Sequence, residues 1–146
     1  VDSRFVAGAA VVSVACGLAG CSDPAPAARP AGGLPAGTAE VSIGGAGKGR
    51  TNAVNCSTTG VLTTISTGDE NSGTTSSIDS TDGLAVQFTE ITNVDGFTGS
   101  YWADLGPAAE VEMTGGTYLM TGSATGFRID NPSARTTETF SIRVTC

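Results

Sequence analysis

Two short glycine turns constrain this chain more than any other feature of its sequence. Asp95-Gly96 and Gly115-Gly116 each sit between runs in which apolar and polar residues alternate. Such pairs suit type I′ turns, whose two central residues both take positive φ, and these turns join adjacent antiparallel strands. Around Asp95-Gly96 the turn predicts the pairs Val94–Phe97, Glu90–Tyr101, Phe88–Ala103 and Val86–Leu105. Val86, Phe88, Val94, Phe97, Tyr101 and Leu105 then share one face, with Gln87, Thr89, Asn93, Thr98, Ser100 and Asp104 on the other. Three residues resist this assignment. Glu90 falls on the apolar face, and Ile91 and Trp102 fall on the polar one. Around Gly115-Gly116 the same reasoning pairs Met113 with Tyr118 and Val111 with Met120, leaving Glu110, Glu112 and Leu119 outward.

The remaining domain sequence follows the same habit. Thr139 to Cys146 alternates cleanly, with Phe140, Ile142, Val144 and Cys146 at inward parity. Fainter strands are expected over Ala39–Ile43, Ala53–Cys56, Val61–Thr67 and Thr74–Ser80, with Gly44–Gly49 and Gly68–Gly73 as loops. No amphipathic helix of ten residues can be placed, charged residues make up 14%, and Gly, Ser and Thr abound. The expected fold is all-β, a small antiparallel β-sandwich or partly open barrel.

Upstream of the domain the chain changes character. Phe5 to Ala19 is apolar or small apart from Ser13. That is too short to span a bilayer, which takes about 20 residues, and it fits the apolar region of a secretory signal peptide, so 1–20 is read as an address. Leu18-Ala19-Gly20-Cys21 has the lipobox pattern of an aliphatic residue, two small residues and a cysteine. Cys21 is the expected lipidation site, its thiol accepting a diacylglyceryl group before cleavage makes it the first mature residue. Several acyl chains on one residue give stable anchoring where one gives marginal binding. The segment 21–38 holds Pro24, Pro26, Pro30 and Pro35 among Ala and Gly, and is expected to be a flexible linker that builds no core, ahead of a β domain over 39–146.

Four cysteines divide by role. Cys16 leaves with the address and Cys21 carries lipid, so Cys56 and Cys146 remain as an even pair in an exported domain. A Cys56–Cys146 disulfide is expected, the alternative being two buried free thiols. The chain has no His and no CxxC, which argues against a metal site or a cofactor, and a net charge of -7 argues against nucleic acid as a partner. The glycine-rich Gly44–Thr51 stretch lacks phosphate-loop spacing, and Asp79, Asp82 and Gly83 lack EF-hand spacing. No catalytic constellation emerges, so no enzymatic activity is expected. Trp102 and Ile91 on the polar face are candidates for contact with a partner or a lipid, unless a linker, another strand or a second sheet covers them.

The run Tyr118–Pro132, with its Thr-Gly-Ser-Ala-Thr-Gly core, and the terminal Phe140–Cys146 resemble the mycobacterial 19-kDa lipoprotein antigen family. So do Val54-Asn-Cys-Ser-Thr-Thr-Gly60, the lipobox and the placement of the cysteine pair. The resemblance implies an acylated, antigenic protein of the cell envelope, anchored in the membrane through Cys21 and modulating host immunity by presenting its lipid end to a Toll-like receptor. Its β domain would then serve presentation or adhesion. Family members often carry sugar on a Thr-rich linker; this linker departs from that pattern, with only Ser22 and, at its end, Thr38. A second reading is a periplasmic module that binds or carries lipid or another hydrophobic ligand.

Overall fold

A computed structural model describes residues 27–146 of the chain, so the expected signal peptide, the lipobox and Cys21 lie outside the described residues. Every regular element among the described residues is a strand. In chain order they are β1 (Thr38–Ile43), β2 (Ala46–Thr51), β3 (Val54–Thr59), β4 (Leu62–Gly68), β5 (Gly73–Asp79), β6 (Ala85–Val94), β7 (Phe97–Trp102), β8 (Glu110–Thr114), β9 (Thr117–Arg128) and β10 (Asn131–Thr145).

All strands pair antiparallel in one sheet with the order β2-β1-β10-β9-β7-β6-β5-β4-β3, and β8 pairs with β9 beside that path. The sheet curls so that its two halves face each other without closing into a barrel. One half supplies Ile43, Met120, Ile142 and Val144 to the core, and the other supplies Ile65, Ile78, Ile91 and Phe97. This is the expected all-β, partly open architecture. The driving force is ordinary apolar burial, since alternate residues of each strand leave water together.

Hydroxyl groups inside the core are paired across strands. Thr67 and Thr74 are 2.8 Å apart at their oxygens, and Ser76 and Thr89 are 3.0 Å apart. Among the described residues no buried side-chain oxygen or nitrogen lacks a hydrogen-bond partner. That satisfaction lets the β4–β5–β6 half bury so much Ser and Thr without a desolvation penalty.

The Gly115-Gly116 hairpin has the register that its turn predicts, with Met113 opposite Tyr118 and Val111 opposite Met120. The Asp95-Gly96 hairpin does not. Asp95 and Gly96 take φ of 50° and 75° and Val94 faces Phe97, but Asn93 also turns to a positive φ of 45°. That bulge inserts one extra residue in β6. Beyond it Ile91 faces Gly99, Thr89 faces Tyr101 and Phe88 faces Trp102, one step from the expected pairs. The backbone of the bulge is held by side chains: the Asn93 N–H donates to Thr98 Oγ1, and Ser72 Oγ donates to the Asn93 carbonyl. A second register shift lies between β5 and β6, where Ser77 faces Phe88 and Ile78 faces Val86.

These two shifts overturn the expected facing of Ile91, Thr89, Glu90 and Phe88. Ile91 and Thr89 are fully buried, so Ile91 is a core residue and cannot contact a partner. Glu90 points outward, which removes its conflict with the apolar face. Phe88 turns outward with Trp102, the two rings stacked at 5.3 Å. Leu105, expected inward, is exposed in the loop after β7.

Two further expectations change. Gly44–Gly49 is not a loop: Gly44 and Gly45 make the turn, and β2 follows as a sheet edge. The expected linker also contributes to the fold from its later part. Leu34 is buried, its N–H donates to Thr117 Oγ1, and the Gly37 N–H donates to the Thr145 carbonyl. Thr38 is buried as well, its hydroxyl donating to the Pro35 carbonyl. The stretch is thus docked on β9 and β10 through backbone N–H groups at Leu34 and Gly37.

Candidate functional site

Two places on the molecule join residues that the sequence singled out. One is the end of the domain where the chain enters. Here Cys56 on β3 and Cys146 after β10 form a disulfide with their Cα atoms 5.9 Å apart. β3 is one edge of the sheet and β10 lies near the other, so the bridge ties the two facing halves together. Leu34 and Gly37 dock on β9 and β10. The entering chain, the C-terminus and the staple thus hold one another through β10.

The second place is the outer face of β6, β7, β9 and β10. Cross-strand pairing sets Glu90, Ser100, Thr125 and Thr137 in one row across four strands. Thr125 and Thr137 share a hydrogen bond of 3.1 Å. Trp102 and Phe88 flank the row on one side, and Phe127 with its cross-strand neighbour Arg135 flanks it on the other. Trp102 is 52% exposed and Phe127 40%. Two clefts, of about 420 and 380 Å³, share Ser100, Trp102 and Arg135 and so run into one another.

Charge on this face is sparse and uncommitted. Arg50 and Arg143 pair with Glu40, and Arg128 pairs with Asp95 and Glu138. Arg135 and Glu90 have no described ionic partner. The interior beneath the face is occupied. Tyr101 packs on Phe140 with ring centres 6.1 Å apart, and its hydroxyl accepts the Ala109 N–H at 2.9 Å.

Of the residues read from the sequence, Trp102 lies on this face, Ile91 lies in the core, and Cys21 lies outside the described residues. Phe127, Arg135 and Thr125 were not singled out. Continuing the alternation of β9 past the inward Met120 would have found two of them, because 122, 124 and 126 then point in and 123, 125 and 127 point out. Asp79, weighed as a calcium ligand, instead accepts the Thr81 N–H in a turn of its own.

Residues 32–146 match the family described as Mycobacterium 19 kDa lipoprotein antigen. The chain belongs to this family. A protein of Mycobacterium indicus pranii described as a lipoprotein is 39% identical over 61 residues, which cover 42% of this chain and 44% of that protein. The match to the relative therefore spans less than half of its length. Membership makes the chain a membrane-associated lipoprotein antigen at the level of its family. The matched region starts at residue 32, just before the buried Leu34, and includes both disulfide cysteines.

Proposed function

We propose that this is an exported lipoprotein held at the extracytoplasmic face of the cell membrane by acyl chains on Cys21, with palmitate among them. Its β domain serves as the presented antigenic and adhesive module, and its acylated N-terminus is recognised by a host Toll-like receptor. The observation that carries the reading is the lipobox Leu18–Cys21 directly after an apolar run, in a chain of a lipoprotein antigen family. Leu34 and Gly37 anchor the domain end of the tether. Thirteen residue steps separate Cys21 from Leu34, a reach of at most about 45 Å fully extended. That length is the most by which the domain can stand off from its anchor.

Cys21→Ala tests this directly. Membrane retention and activation of receptor-bearing reporter cells should both be lost, and the intact mass of the membrane-extracted wild type should equal the chain from Cys21 plus lipid. A Cys21→Ala protein that stays with membranes and signals at full strength contradicts it. No specific observation favours the lipid-carrier reading. Where a carrier would hold its cargo, this domain packs Phe97, Ile91, Met120 and Phe140.

A further inference from the structure

The outer face of β6, β7, β9 and β10 combines three features that together select a ligand chemistry. Trp102 and Phe127 offer exposed aromatic surface, and Trp102 is braced from behind by Phe88. Between them runs a polar row, Glu90–Ser100–Thr125–Thr137. Trp102 stands two residues beyond Ser100 on β7, and Phe127 two beyond Thr125 on the antiparallel β9. The aromatics therefore lie on opposite sides of the row, about 14 Å apart from strand rise and spacing.

A lipid does not suit this arrangement, because the polar row divides the apolar surface and its groups would lose water without partners. An added peptide strand does not suit it either: at the row, β7 and β9 are each paired on both sides and present no backbone edge. A polyanion is disfavoured by a net charge of -7 with one cation in the cleft.

A saccharide suits all of it. Each ring has apolar C–H faces that stack on aromatics and a rim of hydroxyls that both donate and accept. The row supplies Ser and Thr hydroxyls of the same dual character, a carboxylate acceptor in Glu90 and guanidinium donors in Arg135. Glu90 and Arg135 have no described ionic partner, so both are available, and their charges cancel across the cleft. Balanced charge points to an uncharged ligand. The spacing of the aromatics points to a short chain of rings, not a single one.

We infer that this face is a binding cleft for a neutral oligosaccharide, with Trp102 and Phe127 as stacking platforms and Arg135, Thr125 and Glu90 as hydrogen-bonding groups. It rests on the reading of the β domain as an adhesive module and names the chemistry of its partner.

Trp102 is the one tryptophan of the chain, so its emission reports on this cleft alone. The test titrates the full chain carrying Cys21→Ala with neutral gluco-, manno- and xylo-oligosaccharides of three to six rings. Uronate oligosaccharides and phosphatidylcholine vesicles serve as comparators. The expected result is a saturable change in Trp102 emission with at least one neutral series. Phe127→Ala and Arg135→Ala should each weaken binding roughly tenfold, while Glu112→Ala, outward on β8, leaves it unchanged. All three side chains lie on the surface, so circular dichroism should report an unaltered fold. No saturable response to any neutral series at millimolar concentration overturns the inference. So does a response to vesicles or uronates alone, or binding unaffected by both cleft variants. Because Cys21 is already replaced, failure of sugar binding leaves the anchor reading standing, and failure of membrane anchoring leaves the cleft reading standing.

Discussion

The β6–β7 and β8–β9 hairpins turn on the same chemistry and then diverge. Both use two residues of positive φ, Asp95-Gly96 and Gly115-Gly116. Both place the expected residues opposite each other at the turn, Val94 with Phe97 and Thr114 with Thr117. The second keeps that register along β8. The first gives it up at Asn93, one residue from the turn, and β6 shifts once more against β5, on its other side, near Gln87. A turn fixes the first pair of a hairpin; the later pairs belong to whatever the sheet can bury. Here the shift moves Ile91 and Thr89 into the core and turns Phe88 out to join Trp102 on the outer face. The regular hairpin builds sheet, and the bulged one also builds a surface.

Four sets of substitutions bear on how the two hairpins differ. The largest expected effect lies outside both hairpins. Replacing Cys56 and Cys146 together by Ser opens a loop of 90 residues and should cost about 4–5 kcal/mol in urea unfolding, lowering both hairpins alike. Amide exchange that loosens one hairpin and spares the other would assign the staple to a single half of the sheet.

Next come two residues that the unbulged register would treat alike. Ile91→Ala should cost about 3–4 kcal/mol, as a buried aliphatic truncation does. Trp102→Ala should cost less than about 1 kcal/mol, since its ring is half exposed. Equal costs would mean that the two share a face after all.

A smaller effect is expected at the bulge itself. Asn93 holds a positive φ that glycine adopts freely and β-branched residues resist. Asn93→Gly should leave stability within about 0.5 kcal/mol of wild type, and Asn93→Val should lower it by about 1–2 kcal/mol. At Thr114, the residue that precedes the other turn, Val should be tolerated.

Smallest is a pH effect in the turn after β5. The Thr81 hydroxyl, and then its backbone N–H, hold the Asp79 carboxyl below the ordinary carboxylate range. A carboxyl depressed in the folded state adds stability above its unfolded pKa and loses it as pH falls through the folded value. Thr81→Ala should move the Asp79 titration upward, as followed by carboxyl carbon shifts, and leave both hairpins unchanged.

Much of this was legible in the residues. Both turns, the inward parity of Phe140, Ile142 and Val144, and the pairing of Cys56 with Cys146 follow from turn chemistry, alternation and counting. The bulges were not, because an inserted residue leaves the composition of a strand unchanged. Their trace was nonetheless present. Glu90 on the apolar face beside Ile91 on the polar face is the mark of a one-residue slip, since a single shift corrects both. Asn93, a residue that tolerates positive φ, stood between them and the turn. Leu34 was hidden for the opposite reason: nothing local marks one leucine among prolines and glycines as docked, and its partner Thr117 lies 83 residues away.

The slipped register is what places Trp102 and Phe88 together outside and Ile91 inside, so it deserves the most direct test. Backbone cross-strand nuclear Overhauser effects in the β6–β7 hairpin would supply it. The bulged register requires contacts of Ile91 with Gly99 and of Thr89 with Tyr101. Contacts of Thr92 with Gly99 and of Glu90 with Tyr101 would contradict it.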